Sequence, residues 1–438
     1  MELIDKESSA ASYVKCLSLL LGACIPSAVL IASTPKSGVQ SFARFAWLLA
    51  IFSNGKQLFQ EISATGTSLV INDLVIGYLA FVLLQCCNFL IVTRLDAQDL
   101  IQANIFQLSD GVFYKSFCAF CLIFNFRGIG TPWQVKRLNK FPRFYDRHSN
   151  NGNPTPSWFI MRQLMIVGWH YLFLDIVWIS SLDTPAEDTE RLFGPGKEFV
   201  YFNATVEQWA ARVGVSLVSW LGPGRVTIDM AYRITSVVSV ILGITSPEDW
   251  PPLFGSIWDA YTIRACWSTF WHQSFRWPLT SISNFVCRDL LRLPQPSAFA
   301  RYVNVSIVFF VSGVVHLALD SFSPQPPPMG PALGFFSSFC IPILLEEVVQ
   351  EACRRITGVD TNDRKQAVPL WHKLVGYLWV AFWLSLTSPW YLYPATRTPP
   401  EAKWLVPGSV VNSIGLIPAN VLLIAGGLIL KVAIGGEL

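Results

Sequence analysis

The chain has 438 residues, of which 52% are hydrophobic and only 14% are charged, and its mean hydropathy is +0.42. Because soluble globular proteins carry roughly 25% charged residues, this composition excludes an ordinary soluble protein and indicates a membrane protein. The net charge of +3 is too small to indicate a nucleic-acid partner. The ten cysteines are scattered, many of them in apolar runs, which favours small core residues over a metal or redox site.

The first residues do not resemble a cleaved signal peptide, because Met1–Ala11 lacks the positively charged region that such a peptide needs. A membrane-spanning helix needs about 20 mostly apolar residues. By this measure we predict nine spans, while the apolar but short Gly111–Phe124 is interpreted as a buried or re-entrant piece. The nine are Tyr13–Ser33, Ser41–Ser53, Ser68–Val92, Trp158–Ile179, Val226–Thr245, Tyr302–Leu319, Leu333–Val349, Leu374–Tyr391 and Ser409–Lys431.

The loops between these spans alternate in charge. Arg127–His148 holds six basic residues against one acidic residue, which places it in the cytosol by the positive-inside rule. The acidic loop 183–207 then lies in the lumen. Basic residues return in 276–301 and 354–373, while Ser321–Pro331 has none.

These patterns predict an all-α membrane protein, a polytopic helical bundle of about nine transmembrane helices. Neither a repeat nor a separable soluble domain is visible, so residues 1–438 are expected to form one membrane-embedded body. Within it we expect N-terminal spanning helices over 1–110 and C-terminal spanning helices over 333–431.

His316 is the first candidate functional residue. It lies in Tyr302–Leu319, about 21 Å along the predicted helix axis. An ionisable side chain at that depth is costly and indicates a functional site, although a histidine bonded between two helices would fit as well. Its apolar surroundings favour the neutral imidazole, which can accept a proton. The small neighbours Ser312 and Gly313 would let another helix or a ligand approach closely.

His272 is the second candidate, in the aromatic stretch Cys266–Arg276, CWSTFWHQSFR. If this stretch is helical, Arg264, Trp267 and Trp271 share one face. The alternative to a catalytic role is therefore an amphipathic helix that lies in the membrane interface.

Three phrases carry a resemblance to a known family. Cys266–His272 matches the form F-W-x-x-x-W-[NH], although Cys266 replaces the phenylalanine and Ser268 occupies a position that is usually glycine or another small residue. Pro252–Gly255 and Arg127–Gly130, RGIG, also fit. In these phrases the chain resembles the membrane-bound O-acyltransferases, in particular their wax-synthase-like branch and its fungal secondary-metabolite acetyltransferases.

The resemblance covers roughly residues 127–319, which we interpret as the wax-synthase-like catalytic region. It implies a catalytic tunnel within the bundle, with His316 as general base and His272 as the second active residue. Acyl-CoA, most simply acetyl-CoA, would be the co-substrate, a hydrophobic alcohol such as a terpenoid the acceptor, and the endoplasmic reticulum membrane the location. No permanently bound cofactor, metal or nucleic acid is implied.

Further site residues are candidates for contacts with the substrates. Trp267, Trp271 and Gln273 would form walls. For the polyanionic CoA the candidates are Arg264, Arg276 and Arg288, with Arg127 and Lys136 as a second group. Each of these cations would equally fit an ordinary cytosolic positive charge.

Three other functions remain open at this point. A long-chain alcohol acyltransferase would use the same residues. A transporter would fit the spans, although no inverted repeat is visible. A membrane terpene cyclase would need acidic pairs for magnesium diphosphate, to which Glu346, Glu347 and Glu351 are the nearest approach.

Overall fold

The computed structural model shows a helical protein, which confirms the predicted fold class. Within the described residues the only strands are Ser149–Asn150 and Asn153–Pro154, which pair antiparallel. The structure describes residues 6–36, 41–63, 68–150, 153–321, 331–357 and 368–435. Most of the predicted loop Ser321–Pro331, and the basic residues Arg364 and Lys365, lie outside these ranges.

The described ranges contain seventeen α-helices, α1 to α17 in chain order. They are α1 Lys6–Ser33, α2 Ser41–Ser63, α3 Leu69–Cys87, α4 Ala97–Gln102, α5 Val112–Phe124, α6 Pro156–Leu182, α7 Ala186–Phe193, α8 Val206–Ser219, α9 Arg225–Ile241, α10 Ile263–Ala265, α11 Arg276–Asn284, α12 Ala298–Asp320, α13 Pro331–Ser338, α14 Cys340–Thr357, α15 Leu370–Thr396, α16 Val411–Ile414 and α17 Leu416–Ile434.

Among the described residues, six helices are long and apolar enough to cross a membrane. They are Ser12–Ser33, Leu69–Val92, Pro156–Leu182, Ala298–Ala318, Pro331–Ile356 and Leu416–Ile434. A polytopic membrane protein is therefore confirmed, while the number nine stays a prediction. The other three predicted spans correspond to α2, α9 and α15. These segments are helical but are not among the six candidate membrane-spanning helices. In α9 the reason is physical, because it is only 17 residues long and carries Arg225, Asp229 and Arg233.

The chain divides into two compact units. Unit 1 comprises Met1–Lys136 and Ser274–Cys340, and unit 2 comprises Arg137–Gln273 and Ile341–Leu438. The prediction of a single body over 1–438 stays a prediction, as do the boundaries of its regions.

In unit 1, α1 packs against α2 and α5, and α12 packs against α13, α11 and α3. Buried Arg44 fixes the end of α1, because its guanidinium donates to the Thr34 hydroxyl at 2.7 Å and to the Leu30 carbonyl at 3.3 Å. It also reaches the Leu95 carbonyl at 2.7 Å. These bonds satisfy acceptors that a helix C-terminus leaves open.

In unit 2, α6 packs against α9 and α17, and α15 packs against α8. Arg162 performs the capping role here, since its guanidinium donates to the carbonyls of Ile434 at 3.1 Å and Gly435 at 3.2 Å. Arg212 likewise donates to several loop carbonyls, with Glu198 and Val200 both at 3.0 Å. Buried arginines thus tie the ends of distant helices together.

Candidate active site

His316 lies on α12 in unit 1, between two aromatic rings. The Phe336 ring, on α13, stacks on the imidazole at 4.1 Å between centroids, and the Phe275 ring meets it edge-on at 6.3 Å. The side chain is half-buried. A titratable ring is therefore held in an apolar wall within a candidate membrane span.

The tautomer of His316 follows from a backbone contact. Its Nδ1 lies 2.7 Å from the carbonyl oxygen of Ser312, one helical turn earlier. A carbonyl oxygen can only accept a hydrogen bond, so Nδ1 carries the proton and Nε2 carries the lone pair. This arrangement gives the ring one defined basic nitrogen.

Gly313 allows α13 to approach the histidine helix closely. A Cβ at this position would stand 3.1 Å from the Cα of Leu333 and from its Cδ1. The predicted close approach of another helix is confirmed, and the same approach sets Phe336 on the His316 ring.

His272 lies in unit 2, in a segment of irregular backbone. The turn Ile263–Ala265 runs into a π-helical turn, Cys266–Phe270, and Trp271 is extended. The interpretation of this stretch as one amphipathic helix, with Arg264, Trp267 and Trp271 on a single face, is therefore wrong. The Trp271 amide bonds to the Cys266 carbonyl at 2.7 Å, and the regular structure ends there.

A carboxylate from α14 holds the start of this segment. Glu346 accepts from the backbone N–H groups of Ile263 and of Arg264, the latter at 3.1 Å, and from the Trp379 indole at 3.1 Å. A buried carboxylate that accepts several N–H bonds is a stable anchor for a helix start. The sequence indicates Glu346 only as a candidate metal ligand, and this anchoring role is visible only in the structure.

Gly255 fastens the end of the segment. Its amide donates to the Phe270 carbonyl at 2.8 Å, and a Cβ on it would collide with the carbonyl oxygen of Thr269. Only glycine fits this approach of two backbones. The phrase Pro252–Gly255, identified from sequence, thus braces the residues before His272.

Aromatic rings surround His272. The Trp271 ring lies 5.5 Å from the imidazole and the Phe254 ring 5.9 Å, centroid to centroid. Trp271 also meets Trp267 at 5.7 Å and Trp220 at 5.2 Å, both edge-on. The two predicted tryptophans therefore form one wall beside the histidine, and Trp220 is a third member that sequence analysis missed.

The remaining candidates of unit 2 are engaged in hydrogen bonds. Gln273 is buried and its amide donates to the Arg137 carbonyl at 3.2 Å. The Arg264 guanidinium pairs with the Glu347 carboxylate at 2.8 Å, which compensates its charge.

Arg127, Lys136 and Arg276 of unit 1 lie around the RGIG phrase, whereas Arg288 is exposed on the π-helical turn Phe285–Leu290. The Arg276 guanidinium donates to the Lys136 carbonyl at 3.1 Å, and Arg127 is buried. Gly128 has a φ of +59°, and a Cβ on it would stand 2.9 Å from the Trp277 ring. A glycine is needed here for both reasons.

The structure therefore places Trp267, Trp271, His272, Gln273 and Arg264 in unit 2, and Arg127, Arg276 and His316 in unit 1. A single site that contains both histidines stays a prediction.

Comparison with known proteins settles the family. Residues 250–338, which include both histidines, match the membrane bound O-acyl transferase family. The acetyltransferase TRI7 of Fusarium sporotrichioides is 52% identical to the chain, over 96% of both proteins. The chain belongs to the membrane-bound O-acyltransferase family.

Other relatives of this acyltransferase match over similar lengths. The acetyltransferase pyr8 of Aspergillus fumigatus is 43% identical over 100% of both chains. The acetyltransferase atnC of an Arthrinium species is 34% identical over 94% of both. No solved structure matches the chain. The predicted enzyme class, an O-acyltransferase that uses an acyl-CoA, is confirmed.

The acidic residues raised for a terpene cyclase have other partners. Glu346 binds backbone N–H groups, Glu347 pairs with Arg264, and Glu351 pairs with Arg354 and Arg355. Within the part of the chain that the structure describes, no group of three metal-ligating side chains is close enough to hold an ion.

Proposed function

We propose that the enzyme transfers an acetyl group from acetyl-CoA to a hydroxyl of a hydrophobic small molecule, such as a terpenoid or meroterpenoid secondary metabolite. The relatives named acetyltransferases support the acyl group. The observation that carries the mechanism is the bond from His316 Nδ1 to the Ser312 carbonyl, because it leaves Nε2 as the base.

In this mechanism the acceptor oxygen attacks the thioester carbonyl carbon while its proton moves to Nε2 of His316. The carbon–sulfur bond then breaks, and the sulfur leaves with the proton that the imidazole held. The products are the acetyl ester and CoA. No covalent acyl-enzyme is needed.

His272 would donate a hydrogen bond to the thioester oxygen as negative charge develops there. The rings of Trp271 and Phe254 beside it, and those of Phe275 and Phe336 beside His316, are apolar surfaces. Such surfaces exclude water, which would otherwise hydrolyse the thioester.

The phosphates of CoA would be met by cations on the cytosolic side. Arg276 supports this role through its placement beside the RGIG loop. Arg127 is buried in that loop, so its contribution stays a prediction. Arg264 would contribute through its exposed edge, since Glu347 takes one side of its guanidinium. We place the enzyme in the endoplasmic reticulum membrane, where such a donor arrives from the cytosol.

The test is turnover by microsomes that contain the wild type or His316→Ala. Labelled acetyl-CoA and a long-chain acyl-CoA serve as donors, and a hydroxylated terpenoid and 1-hexadecanol serve as acceptors. We expect acetyl transfer to the terpenoid, reduced about 100-fold or more in the variant, the loss typical of a missing general base. His148→Ala is the matched control, because its ring stacks on Trp158 at 4.0 Å between centroids and the proposed mechanism gives it no role.

Wild-type turnover by His316→Ala, inserted normally, would remove this residue from the mechanism. A preference for the long-chain donor with 1-hexadecanol would instead identify a wax ester synthase.

A further inference from the structure

Helix α9 carries three charged residues that the reaction proposed above does not use. Arg225, Asp229 and Arg233 are four residues apart, so they lie along one face of the helix. Asp229 and Arg233 are buried, and the Arg233 Nε donates to the Asp229 carboxylate at 2.6 Å. Sequence analysis treated this segment as an ordinary span.

The partners of these charges come from α6. Arg233 also donates to the Gln163 side chain, and His170 Nε2 lies 3.8 Å from the Asp229 carboxylate. All four side chains are at least nine-tenths buried. Removing charges from water is costly unless partners compensate them, so this network fixes the rotation of α9 against α6.

Arg225 is the member of this row that points toward the His272 segment. Its guanidinium carbon lies 5.5 Å from the Phe254 ring centroid and 5.8 Å from that of Phe270. Both distances are within the range of a cation–π interaction. Phe254 in turn meets the rings of His272 at 5.9 Å and Trp271 at 5.4 Å.

The two rings that Arg225 contacts belong to two backbone segments that a hydrogen bond of Gly255 connects. Phe254 precedes Gly255, and the Phe270 carbonyl accepts the Gly255 amide. One guanidinium, anchored on a helix whose rotation is fixed, thus contacts both sides of that junction.

We propose that Arg225 is a positioning residue for acyl transfer, which holds the Phe254 and Phe270 rings so that His272 keeps its orientation. The inference depends on the role of His272 in the proposed function. Arg225 acts through these rings and is not itself a catalytic residue.

The test compares Arg225→Met with Arg225→Lys in the full-length enzyme, with acetyl-CoA and a hydroxylated terpenoid. Methionine keeps an unbranched apolar stem and loses the charge, whereas lysine keeps a cation that can lie over an aromatic ring. We expect Arg225→Met to lower kcat about tenfold or more, as misorientation of a catalytic group does, with little change in the KM for acetyl-CoA. Arg225→Lys should recover most of kcat.

Arg212→Met is the matched control. Arg212 is another arginine of unit 2 whose guanidinium lies over aromatic rings, although it is buried whereas Arg225 is half-buried. Its rings are those of Tyr201, Trp209 and Tyr393. We expect this variant to lose thermal stability while the folded fraction keeps the wild-type kcat.

Two outcomes overturn the inference: a wild-type kcat in folded Arg225→Met, or an Arg225→Lys variant that is as slow as Arg225→Met. If Arg225→Met does not fold, Phe254→Leu replaces it, because it removes the ring between Arg225 and His272. A wild-type kcat in Phe254→Leu then refutes the positioning role. His272→Ala is measured in parallel, and full activity there would refute the proposed function itself.

Discussion

Gly255 joins two irregular backbone segments, and its replacement by alanine is expected to separate them. The new Cβ would collide with the Thr269 carbonyl oxygen, stand 3.0 Å from the Thr269 carbonyl carbon and lie 3.2 Å from the Asn139 side-chain oxygen. Backbone atoms cannot rotate away as a flexible side chain can. The bond from the Gly255 amide to the Phe270 carbonyl must therefore lengthen or break.

The magnitude follows from two contributions. Overpacking of a well-packed site costs about 1–3 kcal/mol. A lost buried hydrogen bond costs about 1 kcal/mol more. We expect Gly255→Ala to lose about 2–4 kcal/mol of stability, and acetyl transfer should fall as well, because the displaced residues lead directly to His272.

Thermal unfolding of the detergent-solubilised enzyme measures the first effect, and CoA release measures the second. Gly168→Ala is the matched control, since Gly168 lies within α6 where the described residues leave open space for a Cβ. Alanine in a helix interior should gain about 0.5–1 kcal/mol over glycine. If Gly255→Ala melts at or above the temperature of Gly168→Ala, the close backbone contact at Gly255 does not exist.

Two further predictions concern α12. Gly313→Ala should lower turnover several-fold, because its Cβ would push against the Leu333 backbone and displace Phe336 from His316, whereas Gly334→Ala has open space among the described residues and should leave turnover unchanged. Burial, reinforced by the Asp73 carboxylate, raises the pKa of Asp320 to about 7. In the unfolded chain an aspartate ionises near pH 4. The Asp320 carboxyl therefore lowers the free energy of unfolding increasingly as the pH rises from about 4 to about 7. Asp320→Asn should therefore raise the melting temperature more at pH 8 than at pH 5. An equal gain at both pH values would contradict a raised pKa for Asp320.

Composition and hydropathy were sufficient to predict the helical membrane fold, because a lipid environment forces each spanning segment to satisfy its own backbone. His316 could be predicted as a functional residue in the same way, because an imidazole within an apolar run has an energetic cost that needs a reason. Neither the helical membrane fold nor the choice of His316 depends on contacts between distant parts of the chain, so both could be predicted from the sequence.

The backbone around His272 could not be predicted in the same way. Its π-helical turn and the extended Trp271 depend on Glu346, about eighty residues later, and on Gly255. Periodicity reports only local preference, and here distant partners override it. The charges of α9, by contrast, were visible at four-residue spacing and indicated a polar face that was overlooked.

The two histidines are held by supports of different kinds. His316 lies on a regular 23-residue helix and is oriented by a carbonyl of that helix. His272 follows the helical segment Ile263–Phe270, whose first amides bond to a carboxylate and whose last carbonyl bonds to a second loop. π-helical turns are rare and occur frequently at functional sites, so this one is a physical reason to expect function here. The family match begins at residue 250 and ends at 338, and so takes in this irregular segment together with α12. The family match and the irregular backbone fall on the same stretch, which supports the proposal that His272 takes part in the chemistry and is not only part of the wall.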